Sequence, residues 1–289
     1  MRSSWWGPPR RAWIWPDRFV TGAPSPRLSV SIVSHGHASL TDALLRQIVH
    51  QTSPGLVCDI TVTLNLPESI PNDWGGDGWP PVRVLRNQAP KGFAANHNAA
   101  LANCRGDTVA ILNPDLELRG DCLGALARAA GQPGVGLVVP TVLESDGRVA
   151  DAARELLSPA SVVARTFFRR RRPAVRPVWY AGMCMVLPLR AWLAVGGFDS
   201  RYRMYCEDFD LCARLRLQGF SLMQLRSAEV VHAAGRGSHR SLRPFVWHVA
   251  SLARLWRSPV YRDFRRLLQT EGRGGDGDRD GRGNPSPKS

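Results

Sequence analysis

The sequence predicts an α/β protein with a mostly parallel sheet, helices on both of its faces and further helices at its C-terminal end. Short apolar or alternating segments, which are typical of strands, are separated by segments of helical period from residue 28 onward. In addition, 44% of the 289 residues are apolar, which is enough for a sizeable core.

The first half of the chain supplies several elements of this sheet. The runs LSVSIVSH, CDITVTLN and VRVL predict the first three strands. Residues 39–42, Ser-Leu-Thr-Asp, have the pattern of a capping box. The helix that it would open carries Leu40, Leu44 and Ile48 on one face. A second helix is predicted from about Ala94.

The second half continues the alternation. A helix is predicted from Phe209, because Leu211 and Leu215 share a face and Gly219 lies just past its end. The other predicted elements are, in order, a strand from Thr108, a helix from about Asp121 to Ala130, a strand from Val135 to Val142, a hairpin turn at residues 145–148, one buried strand from Val178 to Leu187, a short helix from about Leu189 to the Gly196-Gly197 turn, and the strand FSLMQL.

The domain boundaries follow from composition. Residues 1–27 are rich in Trp and Arg and are predicted to be a flexible extension, and residues 28–240 to be one domain. Residues 241–268 are helical and basic, as expected of an amphipathic helix on a membrane or of a packed terminal helix. Residues 269–289 are rich in Gly, Asp, Arg and Pro and are predicted to be disordered.

The net charge and the cysteines limit the possible binding partners and the cellular compartment. A formal charge of +14 suits nucleic acid, anionic lipid headgroups or phosphorylated substrates. The six cysteines show no C-x-x-C pair and no Cys/His metal spacing, which favours a reducing cytoplasm. No segment approaches the roughly 18 apolar residues of a membrane span. The four-arginine run at residues 169–172 is either a solvated loop or a basic surface for an anionic acceptor or membrane.

Three carboxylates, Glu207, Asp208 and Asp210, fall in the first turn of the helix predicted near Phe209. Acidic residues in a first turn offset the partial positive charge of unpaired amides, which explains one or two of them. Crowded carboxylates among large apolar side chains repel each other, so at least one should have a raised pKa, as a general base near neutral pH requires. From the residues alone, both interpretations stay open.

Two further segments could bind ligands at the carboxyl ends of the strands, where parallel sheets place their sites. Lys91 and backbone amides in the loop after Leu85 could receive a phosphate, and Asn96 or Asn98 could hydrogen-bond a base or sugar. Asp115 in Asn113-Pro114-Asp115 follows a buried strand and could hold a hard divalent cation. The alternatives are an ordinary helix start and an ordinary strand-end turn.

The segment GGFDSRYRMYCEDFDLCARLRLQGF resembles the signature of family 2 glycosyltransferases, in the branch similar to bacterial rhamnosyltransferases. This resemblance implies a GT-A fold and identifies Asp208, with Glu207 beside it, as the residue that deprotonates the acceptor hydroxyl. It places Gly182 and Asp210 on the acceptor side.

The same resemblance implies a donor site and a metal. Mg²⁺ or Mn²⁺ would be held by Asp115 and His232 against the diphosphate of a nucleotide sugar. The implied contacts to the nucleotide or its phosphates are Asn65, Asn87, Lys91, Gly92, Asn96, Asn98, Asn113, Arg236 and Ser238. The sequence departs from the family pattern at the residue that contacts the nucleotide base. The Asp that normally ends the second strand is absent, and Asn65 or Glu68 could substitute for it.

The function that this implies is inverting transfer of a sugar, rhamnose or a similar hexose, from a nucleotide-diphosphate sugar to a glycan or lipid-linked acceptor in surface polysaccharide synthesis. The enzyme would be cytoplasmic, or peripheral on an anionic membrane surface. Two alternatives stay open: a non-catalytic scaffold in a glycan-assembly complex, and a nucleic-acid-binding protein. The arginines are spread along the chain without a nucleic-acid-binding motif, so no nucleic acid is expected.

Overall fold

An eight-stranded sheet organises the chain in the computed structural model, which describes residues 26–162, 177–232 and 243–276. The strands are β1 (Leu28–Ser34), β2 (Val57–Leu64), β3 (Val82–Arg86), β4 (Thr108–Leu112), β5 (Leu116–Leu118), β6 (Val135–Glu144), β7 (Ala153–Arg154), β8 (Trp179–Tyr180), β9 (Cys184–Pro188) and β10 (Ser221–His232). The helices are α1 (Ala38–Gln51), α2 (Phe93–Leu101), α3 (Cys122–Ala130), α4 (Leu189–Ala194), α5 (Glu207–Leu217), α6 (Arg243–Arg257) and α7 (Pro259–Asp276).

The strand order in the sheet is β3-β2-β1-β4-β9-β6-β10-β5. Strand β1 pairs in parallel with β2 and β4, β2 pairs in parallel with β3, and β6 pairs in parallel with β10. Two strands run the other way: β9 lies antiparallel between β4 and β6, and β5 is antiparallel to β10 at the edge. The predicted mostly parallel α/β sheet is therefore confirmed.

Apolar side chains on alternate residues of the strands build a core on each face of the sheet. On one face, Ala110 and Leu112 of β4 join a cluster that contains Leu44 and Ile48 of α1 and the buried side of α3. On the other face, Val109 and Ile111 pack with residues of α2, α4, α5, α6 and α7. The terminal helices are thus part of the packed fold.

The predicted capping box at residues 39–42 is wrong. Helix α1 begins at Ala38 with His37 as its N-cap residue, and the side chain of His37 makes no capping hydrogen bond. The buried hydroxyl of Thr41 instead donates to the carbonyl of His37 (3.1 Å), which also accepts the amide of Thr41. Leu40 is 38% exposed, whereas Leu44 and Ile48 are buried as predicted.

The single strand predicted from Val178 to Leu187 is divided in two. Strand β8 pairs with β7 in a separate two-stranded sheet, and only β9 belongs to the main sheet. The break falls at Gly182, whose amide donates to the carboxylate of Asp208 rather than to a neighbouring strand (3.1 Å). A polar contact at this point therefore replaces regular strand pairing.

The sequence-based boundaries at the C-terminal end differ from the structure. Helix α7 continues to Asp276, so residues 269–276, assigned from sequence to a disordered tail, are helical. No helix in the described part of the chain is long and apolar enough to cross a bilayer. Most of the predicted N-terminal extension, the arginine run at 169–172, Arg236, Ser238 and residues 277–289 lie outside the described residues.

Candidate active site

The metal turn predicted at Asn113-Pro114-Asp115 meets His232 at one edge of the sheet. Strand β5, which follows Asp115, pairs with the end of β10, with Leu116 opposite His232. The Nε2 atom of His232 lies 3.2 Å from Oδ2 of Asp115, and this hydrogen bond raises the pKa of His232. The two side chains, distant in sequence, are therefore in direct contact.

The Asp115–His232 pair suits a divalent cation. The Oδ1 atom of Asp115 is buried without a hydrogen-bond partner, which leaves one carboxylate oxygen available as a ligand. A carboxylate and an imidazole are both ligands that Mn²⁺ and Mg²⁺ accept. Among the described residues, no three His, Cys, Asp or Glu side chains form a metal-binding group.

Asp208 is held by two backbone amides at the start of α5. Its Oδ2 atom accepts from the amide of Gly182 (3.1 Å) and its Oδ1 atom accepts from that of Phe209 (2.8 Å). Burial raises the pKa of Asp208, against the opposing charge of Arg154. A carboxylate with a fixed orientation and a raised pKa has the properties of a general base.

Glu207 lies beside Asp208 and is only 6% exposed. Its Oε2 atom is buried without a hydrogen-bond partner. Burial and the neighbouring charge of Asp208 both raise the pKa of Glu207. Two adjacent carboxyl groups whose pKa values are both raised cannot easily ionise together, so the pair holds a proton more readily than isolated acids do.

The metal turn and Asp208 are connected through one short backbone segment. The amide of Gly182 donates to Asp208, and the carbonyl of the next residue, Met183, accepts from the amide of Asn113 (2.9 Å). The break between β8 and β9 therefore joins the two predicted functional motifs. Gly182, predicted on the acceptor side, contacts the carboxylate of Asp208 through its backbone.

The structure places Asp210 away from the role predicted for it. Its side chain is 2% exposed and forms an ion pair with Arg214 (2.7 Å). The guanidinium of Arg214 also donates to the carbonyls of Val195 and Gly197. Asp210 therefore supports the glycine turn that precedes the acidic segment, and we do not retain it as an acceptor contact, because its carboxylate is already committed inside the fold.

Three of the asparagines predicted to bind the donor bind one another. The amide nitrogen of Asn87 donates to Oδ1 of Asn65 (2.8 Å) and Oδ1 of Asn96 (2.7 Å). Oδ1 of Asn65 also accepts from the amide of Lys91, and its nitrogen donates to the carbonyl of Lys91 and contacts Nδ1 of His35. These side chains fasten the loop after β3 to the ends of β1 and β2.

Asn98 and Gly92 also serve packing. Both amide atoms of Asn98 bond the backbone of Phe198, at 2.8 and 3.0 Å. A Cβ atom at Gly92 would overlap the carbonyl oxygen of Arg203, which accepts from the amide of Phe93. The side chain of Lys91 is exposed at the carboxyl edge of the sheet, so among these residues its ammonium is the group placed to meet a phosphate.

A cavity of about 250 Å³ opens beside this asparagine network, at the ends of β2 and β3. Glu68, one of the residues considered as a substitute for the missing Asp, contributes a buried Oε2 atom that has no hydrogen-bond partner. The cavity is lined by Leu64, Leu66, Pro67, Glu68, Arg86 and Asn87. Glu68 is therefore better placed than Asn65 to contact a nucleotide base, because the side-chain amide of Asn65 already makes its hydrogen bonds within the protein.

Sequence reasoning missed two residues around Asp208. The guanidinium of Arg154 lies 5.0 Å from the ring centroid of Trp179, and its charge acts on Asp208. His248 contacts the ring of Tyr205 and senses the charges of Asp208 and Arg154. Arg154 and His248 lie far from the acidic segment in sequence, so no local pattern could have indicated that they lie near it.

Residues 69–187 match the family model described as Glycosyl transferase family 2. The chain is 33% identical over 190 residues to the N-acetylglucosaminyl-diphospho-decaprenol L-rhamnosyltransferase of Mycobacterium tuberculosis, covering 56% of this chain and 62% of that protein. The chain thus spans less than two thirds of the length of this curated relative.

Two solved structures have the same fold. GalNAc-T7 with UDP, GalNAc and Mn²⁺ superposes with a TM-score of 0.58 at 16% identity, over 84% of this chain and 48% of that one. The mannosyltransferase PcManGT of Pyrobaculum calidifontis, with GDP-Man and Mn²⁺, superposes with a TM-score of 0.57 at 17% identity, over 83% of this chain and 68% of that one. The fold is GT-A, residues 69–187 match glycosyl transferase family 2, and the chain is similar to bacterial rhamnosyltransferases.

Proposed function

We propose that this protein is an inverting glycosyltransferase that moves a sugar from a nucleotide-diphosphate donor to an acceptor hydroxyl, with Asp208 as the general base. One observation carries the proposal: consecutive residues Gly182 and Met183 bond Asp208 on one side and the metal turn on the other. A base and a site for the leaving diphosphate are thus close together. Inversion requires this arrangement, since attack and departure occur on opposite sides of one carbon.

The first catalytic role belongs to Asp208, which would deprotonate the acceptor hydroxyl. The amides of Gly182 and Phe209 fix its carboxylate, so that one oxygen can take the proton of the acceptor hydroxyl as that hydroxyl attacks the anomeric carbon. The raised pKa of Asp208 makes the ionised carboxylate a stronger base than an exposed aspartate. Glu207 is the second acidic residue of the centre, and burial and the charge of Asp208 raise its pKa.

Asp115 and His232 would hold a divalent cation through the unpartnered Oδ1 of Asp115 and a ring nitrogen of His232. When bound, Mg²⁺ or Mn²⁺ would supply Lewis-acid stabilisation of the charge on the departing diphosphate. Asn113 fixes the turn through its backbone amide, and Lys91 offers an exposed ammonium at the same edge of the sheet. Mg²⁺ commonly takes few protein ligands and completes its shell with water and phosphate, so two suffice.

The substrate classes are inferred from the relatives, and the contact with a membrane is inferred from the side chains of helix α6. We infer a hexose such as rhamnose as the transferred sugar and a glycan or lipid-linked acceptor, since the mycobacterial relative's name specifies a rhamnosyl transfer to a diphospho-decaprenol acceptor. Helix α6 exposes Val246 (60%) and Val249 (49%), and Arg254 and Arg257 near its end are also exposed. This combination suits peripheral contact with an anionic membrane that carries such an acceptor, on its cytoplasmic side.

The proposal is tested by the thermal stability of the protein against a panel of UDP-, dTDP-, GDP- and CDP-sugars, each with and without Mn²⁺. A ligand that binds only the folded state at a hundred times its Kd stabilises it by about 2.7 kcal/mol. We expect one nucleotide sugar to raise the midpoint of unfolding, and to do so only with the metal. A panel in which no nucleotide sugar shifts the midpoint would contradict the proposal.

A further inference from the structure

Tyr205 has an unusual backbone conformation directly before the candidate base. It and Cys206 have φ angles of +71° and +69°, and they are the non-glycine residues in the described part of the chain with positive φ. This region is costly for a residue with a Cβ atom, especially a bulky one, and such residues cluster at functional sites. The ring of Tyr205 is nevertheless 39% exposed, so core packing does not explain the conformation.

Helix α6 contacts three successive residues that end at Tyr205. The ring of His248 meets that of Tyr205 edge to face, with centroids 4.8 Å apart. The hydroxyl of Ser251 donates to the carbonyl of Met204 (2.9 Å), and the guanidinium of Arg203 lies 4.8 Å from the ring centroid of Trp247. The basic C-terminal helix therefore forms one wall of the site.

The side chain of His248 is suited to neutral polar ligands. It is half-buried, and among the described residues no hydrogen-bond partner meets its imidazole. Burial and the charge of Arg154 lower the pKa of His248, against the charge of Asp208, so the ring is neutral near pH 7. A neutral imidazole offers one hydrogen-bond donor and one acceptor, which is the pair of functions that a sugar hydroxyl can use.

We propose that Tyr205 and His248 bind the acceptor sugar, with the ring of Tyr205 against the apolar face of a hexopyranose and the imidazole of His248 hydrogen-bonded to one of its hydroxyls. The adjacent hydroxyl then lies at Asp208 for deprotonation. An aromatic surface with a few convergent polar groups is the usual composition of a small-ligand site. This inference rests on the proposed transferase function and names the residues that orient its acceptor.

The test uses Tyr205→Gly, because glycine adopts a positive φ without strain. If the ring serves only the fold, removing it should lower the midpoint of unfolding. We expect instead an unchanged or higher midpoint, together with a rise of about tenfold or more in the acceptor KM. The probe acceptor is a decyl-diphospho-N-acetylglucosamine, and the donor is the nucleotide sugar that stabilises the wild-type protein.

His248→Ala should raise the same acceptor KM, and His248→Gln, which keeps a donor and an acceptor, should restore part of the loss. His50→Ala, an exposed histidine at the end of α1, is the matched control and should change nothing. In all variants the donor KM should stay within about twofold of wild type.

Different results would show that the inference fails or that the proposed function fails. Wild-type protein that transfers sugar to the probe, with the acceptor KM unchanged in Tyr205→Gly and His248→Ala, would overturn the inference and leave the proposed function standing. Wild-type protein that binds no nucleotide sugar would contradict the proposed function itself. A donor KM that rises in parallel with the acceptor KM would also overturn the inference, because it would indicate general disturbance of the site.

Discussion

Two polar regions lie at the carboxyl edge of the sheet, and they differ in how well their polar groups are satisfied. In the asparagine network, Asn65, Asn87 and Asn96 use their amides on one another and on Lys91. In the acidic segment, Glu207 keeps a buried oxygen without a partner and Tyr205 has a strained backbone. The first region is built for stability and the second accepts a cost in stability, as functional sites do.

The largest expected effect is on turnover. Asp208→Asn keeps the shape of the side chain and removes the base, so kcat for transfer should fall by about 10²–10⁴-fold. The measurement is steady-state transfer with saturating donor and acceptor. Asp146→Asn, on the exposed hairpin after β6, is the matched control and should keep wild-type turnover. An Asp208→Asn protein that is folded and nearly as active as wild type would remove Asp208 from the mechanism.

Next in size is the loss of stability when the buried Asp210–Arg214 pair is broken. Asp210→Asn leaves the guanidinium of Arg214, whose side chain is 19% exposed, without its anionic partner. Breaking a buried pair costs about 3–5 kcal/mol, and the partial exposure of Arg214 places the expected loss near the lower end. Urea unfolding measures it. Asp263→Asn, which breaks the exposed ion pair with Arg266, is the control. If Asp210→Asn lost no more stability than this control, the Asp210–Arg214 pair would contribute nothing to stability.

The asparagine network should show a smaller loss of stability. Asn87→Ala removes the donor that joins Asn65 to Asn96 and leaves Oδ1 of the buried Asn96 without its partner, which costs about 1–3 kcal/mol. Asn103→Ala, at an exposed position, should cost little. If Asn87→Ala abolished donor binding without a change in stability, the contrast between the two regions would be wrong.

A further expected effect is a gain in stability that depends on pH. Because the pKa of Glu207 is raised in the folded state, the folded protein binds the proton more tightly than the unfolded chain does. The free energy of unfolding therefore falls as pH rises above the ordinary carboxyl range toward the raised pKa. Glu207→Gln removes this loss, so its advantage over wild type in chemical unfolding should be larger at alkaline pH than at pH 4. An advantage independent of pH would contradict the raised pKa.

The sequence predicted the elements whose signals are local. The mostly parallel sheet, the short helix before Gly196-Gly197 and the helix that begins at the acidic segment are confirmed, because hydrophobic period and glycine position determine them. Strand β5 was not predicted, since its three residues carry no pattern of their own and are fixed by pairing with β10. The capping box failed because helix α1 begins at Ala38, so Ser39 lies inside the helix and is not its N-cap residue.

For the site, the sequence did not show which contacts each candidate residue makes. Asp115 and His232, which the resemblance assigns to one metal, are in contact with each other. The asparagines lie at the correct edge of the sheet but bond one another, and a sequence does not show which amides are already satisfied. Arg154 and His248 were missed because only the tertiary fold brings β7 and α6 to Asp208.

The most direct test of the account is calorimetric titration of Asp208→Asn and Asp115→Ala with the nucleotide sugar that stabilises wild-type protein, in the presence of Mn²⁺. Asp208 would take the acceptor proton, and Asp115 would hold the metal against the diphosphate. We therefore expect Asp208→Asn to bind the donor with wild-type affinity and Asp115→Ala to lose at least about tenfold in affinity. Wild-type affinity in Asp115→Ala, or lost binding in Asp208→Asn, would contradict this division of roles.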